Sequence, residues 1–94
     1  MYTRAVRFTG VSSEHMQSLE DRVKAAGGPP PGVPATGLTV LHDAAQQTAL
    51  VLQHFNSAAD MEAGAKVFEA MDASDTPGTR ASVDACEVKL DLEA

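Results

Sequence analysis

The sequence predicts an α+β domain in which an antiparallel four-stranded sheet carries two helices on one face, in the order β-α-β-β-α-β. Three observations carry this expectation. Four stretches read as extended, one of them apolar at successive positions, and in two others apolar residues recur at helical spacing. Clusters of Gly, Pro, Ser and Asp separate those stretches. The chain has 94 residues and a mass of 9.8 kDa, room for a single domain taken as residues 1–94, because soluble domains commonly run to about 100–150 residues.

The elements follow in order. Residues 2–9 read as a strand with Tyr2, Arg4, Val6 and Phe8 on one face and Thr3, Ala5, Arg7 and Thr9 on the other. Gly10 breaks it, Ser12 and Ser13 are N-cap candidates, and Glu14 suits the positive end of a helix dipole. Met16, Leu19, Val23 and Ala26 then form one face of an amphipathic helix, with Glu20, Asp21, Arg22 and Lys24 outward. Gly27-Gly28 ends the helix, and Pro29, Pro30, Pro31 and Pro34 exclude helix or central strand, leaving a stiff surface connection. Strands over 37–42 and 48–55 are joined as a hairpin across Asp43-Ala44-Ala45-Gln46-Gln47, without the Asn-Gly signature. Ser57-Ala58-Ala59-Asp60 is a variant capping box. It opens a helix with Met61, Ala65, Phe68 and Met71 or Asp72 inward. Gly64 in that helix costs roughly 1 kcal/mol against Ala, which close packing on the sheet would explain. Asp75-Thr76-Pro77-Gly78 reads as a turn and 80–92 as a final strand. The apolar parity of that strand switches between Ala85 and Val88, which predicts a β-bulge near Cys86-Glu87.

With right-handed crossovers this order gives the ferredoxin-like layout. The helices then cover one face only, yet Thr48-Ala49-Leu50-Val51-Leu52 is apolar toward both. Each uncovered Leu or Val would forgo about 1.5–3 kcal/mol of burial. The expected cover is a second copy related by a two-fold axis, making an obligate homodimer through the open sheet face.

The run Gly37-Leu38-Thr39-Val40-Leu41-His42, the strand Thr48-Ala49-Leu50-Val51-Leu52 and the stretch Phe55-Asn56-Ser57-Ala58-Ala59-Asp60-Met61 resemble dimeric α/β-barrel proteins of the antibiotic-biosynthesis monooxygenase type. The resemblance spans residues 2–92. It implies a dimeric α/β barrel and a small-molecule enzyme, in particular a cofactor-independent monooxygenase acting on a phenolic or quinol-like metabolite. Relatives of this type also include haem-degrading enzymes, isomerases and members with no assigned activity. Oxygenase members often carry Trp where this chain has Phe55, and the chain has no Trp at all. The haem-degrading arrangement of Asn, Trp and His is not matched, which argues against haem.

Such chemistry needs an apolar pocket between helices and sheet, a base to ionise the phenol and a donor or cation to hold the anion. His54 is the candidate base, since imidazole titrates near neutral pH; a histidine satisfied by backbone is the plainer alternative. Arg80 is the candidate catalytic cation, with Arg4 and Arg7 as further choices, and each also reads as a paired surface or interface arginine. Phe55, Asn56, Arg4 and Tyr2 are the candidate substrate contacts. Tyr2 also reads as an edge packing residue, and Asn56 as turn chemistry before Ser57. If Asp43 pairs with Thr48, His42 and His54 point to opposite faces and cannot share a site.

Other classes find little support. His15, His42, His54 and Cys86 have no metal-ligand spacing, so neither metal nor cofactor is expected. Seven Lys plus Arg against thirteen Asp plus Glu give a formal charge of −6, which disfavours nucleic acid. No apolar run approaches the roughly 20 residues that span a bilayer. A single cysteine and the lack of a secretion signal suit a cytoplasmic protein. The scarcity of acid–base residues leaves a second reading open, a non-catalytic barrel that binds a small apolar or aromatic ligand or regulates a partner enzyme. A pure assembly protein with a filled pocket is the third.

Overall fold

In the computed structural model the elements are β1 (Tyr2–Thr9), α1 (Ser13–Ala26), β2 (Gly37–Asp43), β3 (Thr48–Phe55), α2 (Ala58–Ala70) and β4 (Thr79–Glu87). The structure describes residues 1–70 and 78–93; Met71, Asp72 and the turn residues Asp75, Thr76 and Pro77 lie outside them. The four strands form one antiparallel sheet in the order β2-β3-β1-β4, the ferredoxin-like arrangement.

Local chemistry sets the boundaries. The Ser12 hydroxyl accepts from the His15 amide at 3.2 Å and caps α1. Gly27 closes that helix at φ 69°, in the left-handed region, and its amide bonds the Val23 carbonyl. The Ser57 hydroxyl accepts from the Asp60 amide at 3.1 Å at the start of α2. Between β2 and β3, Asp43 pairs with Thr48 and accepts from the Gln46 amide and side chain. The last loop residue, Gln47, turns the chain at φ 51° where a hairpin would usually place Gly or Asn.

The face beneath the helices is the core. Val6 and Phe8 of β1, Ala49 of β3, Val11 and Met16 form a buried cluster, with Leu19, Val40 and Val51 packed against it. Phe55 is fully buried, and its ring lies so near α2 that a Cβ on Gly64 would come within 2.8 Å of it. The glycine in mid-helix is thus a close approach of helix to sheet.

The register places Thr3, Ala5 and Arg7 of β1, Leu50, Leu52 and His54 of β3, Thr39 and Leu41 of β2 and Asp84 of β4 on the opposite face. Neither helix covers this side. Leu50 and Leu52 are half-buried and Leu41 is 47% exposed. β3 is therefore apolar toward both faces, while β1 and β4 bring Arg7 and Asp84 to the open one.

Two expectations for the last strand are corrected. The bulge is not near Cys86-Glu87: Ser82 pairs with Arg7 and Arg80 with Phe8, so Ala81 is the extra residue. Val83 lies on the helix side opposite Val6, and simple alternation from it would send Arg80 to the open face. The bulge turns Arg80 to the helix side instead. The strand also ends at Glu87 rather than at Leu92. The parity switch after Ala85 marks the departure of the chain from the ladder. The Val88 amide still reaches the Met1 carbonyl at 2.9 Å, and residues 89–93 continue outside any strand.

Candidate functional site

On the open face, β3 delivers His54 near its end with a hydroxyl at each ring nitrogen. Thr3, the cross-strand neighbour on β1, places Oγ1 3.2 Å from Nδ1. Thr39 on β2 places Oγ1 3.0 Å from Nε2, reaching diagonally because Gly37, the direct neighbour, has no side chain. Thr36 holds the backbone beneath, donating its amide at 2.7 Å and its hydroxyl at 3.2 Å to the His54 carbonyl. A neutral imidazole can donate from one nitrogen and accept at the other, and a threonine hydroxyl satisfies either role. The ring is thus oriented in either tautomer without a carboxylate partner among the described residues.

Beside it lies an open groove of about 500 Å3, with Met1, Val88 and Leu90 as apolar wall and Thr3, Thr36, Gly37, His54 and the acidic Asp91 as polar wall.

The remaining sequence-predicted residues lie elsewhere. Arg80 is on the helix side, where both its terminal nitrogens donate to Glu69 at 2.9 and 3.2 Å. Arg4 is also on that side and almost fully buried; it donates to Gln53 at 3.1 Å and to Glu69 at 3.2 Å. Its guanidinium lies 5.2 Å from the centre of the Phe68 ring. Phe55 belongs to the core. Tyr2 donates to Glu87 at 3.1 Å, and that carboxylate raises the pKa of the phenol. Asn56 is exposed beyond the end of β3. His42 points to the helix side and contacts the Val11 carbonyl at 3.1 Å, so the two histidines do face apart. Of the candidates, the groove holds His54 alone; Arg4 and Arg80 come together around Glu69 on the other face.

The Arg4–Glu69–Arg80 cluster carries its own electrostatics. Hydrogen bonds and charge from Arg80, then charge from Arg4, hold the Glu69 carboxyl below its ordinary value. Burial lowers the pKa of Arg4, and the charge of Glu69 opposes that shift. Glu69, Gln53, Thr3 and Thr39 are the contact residues sequence reasoning missed. A signal existed for the first two, because Arg4 shares the core-facing parity of Val6 and Phe8 and a buried cation demands partners. For the threonines the signal was their shared face with His54, legible only once the register was known.

Among the described residues no group of three or more His, Cys, Asp or Glu could hold a metal ion. No helix there is long and apolar enough to cross a membrane. Comparison with protein-family models, with curated proteins and with solved structures gives no match. What the fold and groove define is an α+β protein of ferredoxin-like topology with an uncovered sheet face and one oriented histidine upon it.

Proposed function

We propose that the chain is a homodimeric small-ligand-binding protein of the antibiotic-biosynthesis monooxygenase-like type, its two open sheet faces opposed, with the His54 groove as the ligand site. The observation that carries this is the pairing of an imidazole oriented by Thr3 and Thr39 with an apolar wall on a sheet face that lacks a helix cover. The ligand class is an aromatic or polycyclic phenol or quinol, whose ring suits the wall and whose hydroxyl suits His54. Binding without turnover is the favoured form, because two of the candidate anion-holding cations, Arg4 and Arg80, are engaged by Glu69 on the opposite face, and the third, Arg7, lies four positions along β1 from Thr3 and does not line the groove.

Cofactor-independent oxygenation is the second reading, and the position of His54 as the one imidazole of that groove favours it. There His54 would take the phenolic proton of an anthrone-like substrate. Molecular oxygen would oxidise the anion, one oxygen atom replacing two hydrogens of a CH2 group as a carbonyl and the other leaving as water, so no external reductant is required.

A panel of hydroxyanthrones and quinols separates these readings. Saturable binding that weakens about tenfold or more in His54→Ala, with the fold retained, supports the groove as the site. Oxygen uptake lost in the same variant makes the protein an enzyme. Binding unchanged in His54→Ala overturns the site.

A further inference from the structure

The His54 groove crosses one end of the sheet. Its lining passes from Thr36 and Gly37, at the start of β2, through His54 on β3 and Thr3 on β1 to the segment that leaves β4, which contributes Val88, Leu90 and Asp91. The register joins Gly37 to His54 and His54 to Thr3 as direct neighbours. With β1 lying between β3 and β4, the strand that carries His54 and the strand from which the segment departs are about 10 Å apart.

The charges around this groove are unevenly matched. Glu87, where β4 ends, accepts from Lys89 at 2.6 Å and from Tyr2 at 3.1 Å. Lys89, then Tyr2, hold its carboxyl below the ordinary value. Asp91, two residues beyond Lys89, is exposed and makes no hydrogen bond or ion pair among the described residues. The amino group of Met1, whose charge acts on Glu87, makes no ion pair with it either. Among the lining residues Asp91 is the one Asp, Glu, Lys or Arg, and the ring nitrogens of His54 meet threonine hydroxyls rather than charges. A ligand therefore meets an oriented imidazole, an apolar wall and a carboxylate without a counter-charge.

We propose that the ligand of this groove carries a protonated amine and that Asp91 is the residue that selects it. This rests on the His54 groove as the ligand site and narrows its ligand from phenols at large to amino-substituted ones. A hydroxyl at His54 and an ammonium at Asp91 place the polar groups at separated positions, with the ring between them against Met1, Val88 and Leu90. An ammonium brings N–H donors and the opposite charge, and the carboxylate takes both. An acidic ligand meets the reverse: Asp91 repels it, no Lys or Arg of the lining offsets that, and the chain charge of −6 adds to the repulsion. Because Asp91 is exposed, its effect is a discrimination between ligands, and the apolar wall supplies the larger share of affinity.

Three naphthols that differ only in one arm, aminoethyl, propyl or carboxymethyl, test this by fluorescence titration at low salt. The aminoethyl probe should bind at least about threefold more tightly than the propyl probe, and the carboxymethyl probe most weakly. In Asp91→Asn, with the fold retained by circular dichroism, the ratio of amine to propyl affinity should fall to about one. In the wild type that ratio should also shrink as the salt is raised to about 0.5 M. Equal affinity for the amine and propyl probes in the wild type overturns the proposal, as does an amine preference that survives Asp91→Asn, the mark of attraction to the acidic chain as a whole. Probes that bind, weaken in His54→Ala and show no amine preference remove the role of Asp91 and leave the groove standing. Probes that do not bind, or that bind equally well to His54→Ala, overturn both.

Discussion

Arg4 occupies a position where the alternation of β1 calls for an apolar side chain, and three neighbours make that tenable. Gln53 and Glu69 take its N–H groups, and Phe68 takes the flat of its guanidinium. Removing only the carboxylate should be the harmful change, because it strands a desolvated cation. Glu69→Gln is therefore expected to lower the urea midpoint more than Arg4→Met, which replaces the cation by a flexible apolar chain of similar length. The pH dependence has a defined sign. The folded Glu69 pKa is below its ordinary value of 4.5, so its contribution is complete above that value and is lost as pH falls through the lowered one. Plots of urea midpoint against pH should show the wild type losing more stability on acidification than Glu69→Gln. Gln47 offers a test of opposite sign. Its φ of 51° carries a steric cost that glycine avoids. Gln47→Gly should gain about 0.5–1 kcal/mol in urea unfolding.

Among the elements, α2 shows how packing overrides propensity. In a free helix Gly64→Ala would stabilise by about 1 kcal/mol. Here the added methyl meets the Phe55 ring, which is enclosed, so the variant should lose about 1–3 kcal/mol instead. Chemical unfolding of Gly64→Ala measures that sign directly. Helix starts were legible because Ser12 and Ser57 cap by local chemistry, and the order of elements followed from periodicity and breakers. The last strand was misread because parity alone cannot distinguish a bulge from a chain that leaves the sheet. Residues 88–92 alternate like a strand, but the bonding partner that would make them one is absent from their own sheet. The bulge at Ala81 was invisible for a related reason: it serves Arg80, whose partner Glu69 lies on another element. The site was legible only in part. His54 and its separation from His42 followed from the hairpin register, whereas an arginine's face depends on distant pairing.

At the scale of the whole molecule, the two faces of the sheet are unequal. One is closed by helices over a buried cluster, with an arginine–glutamate clasp at its side. The other presents leucines of β2 and β3, the histidine groove and Arg7, which makes no ion pair among the described residues, and residues 88–93 stand beside it with exposed leucines. An apolar sheet face of this kind is stable in water when something covers it, and the homodimer proposed above would cover it with the same face of a second copy. Sedimentation equilibrium across micromolar loading concentrations tests that directly. The account predicts a particle of twice the 9.8 kDa chain mass, and a folded particle of the chain mass alone at every concentration would contradict it.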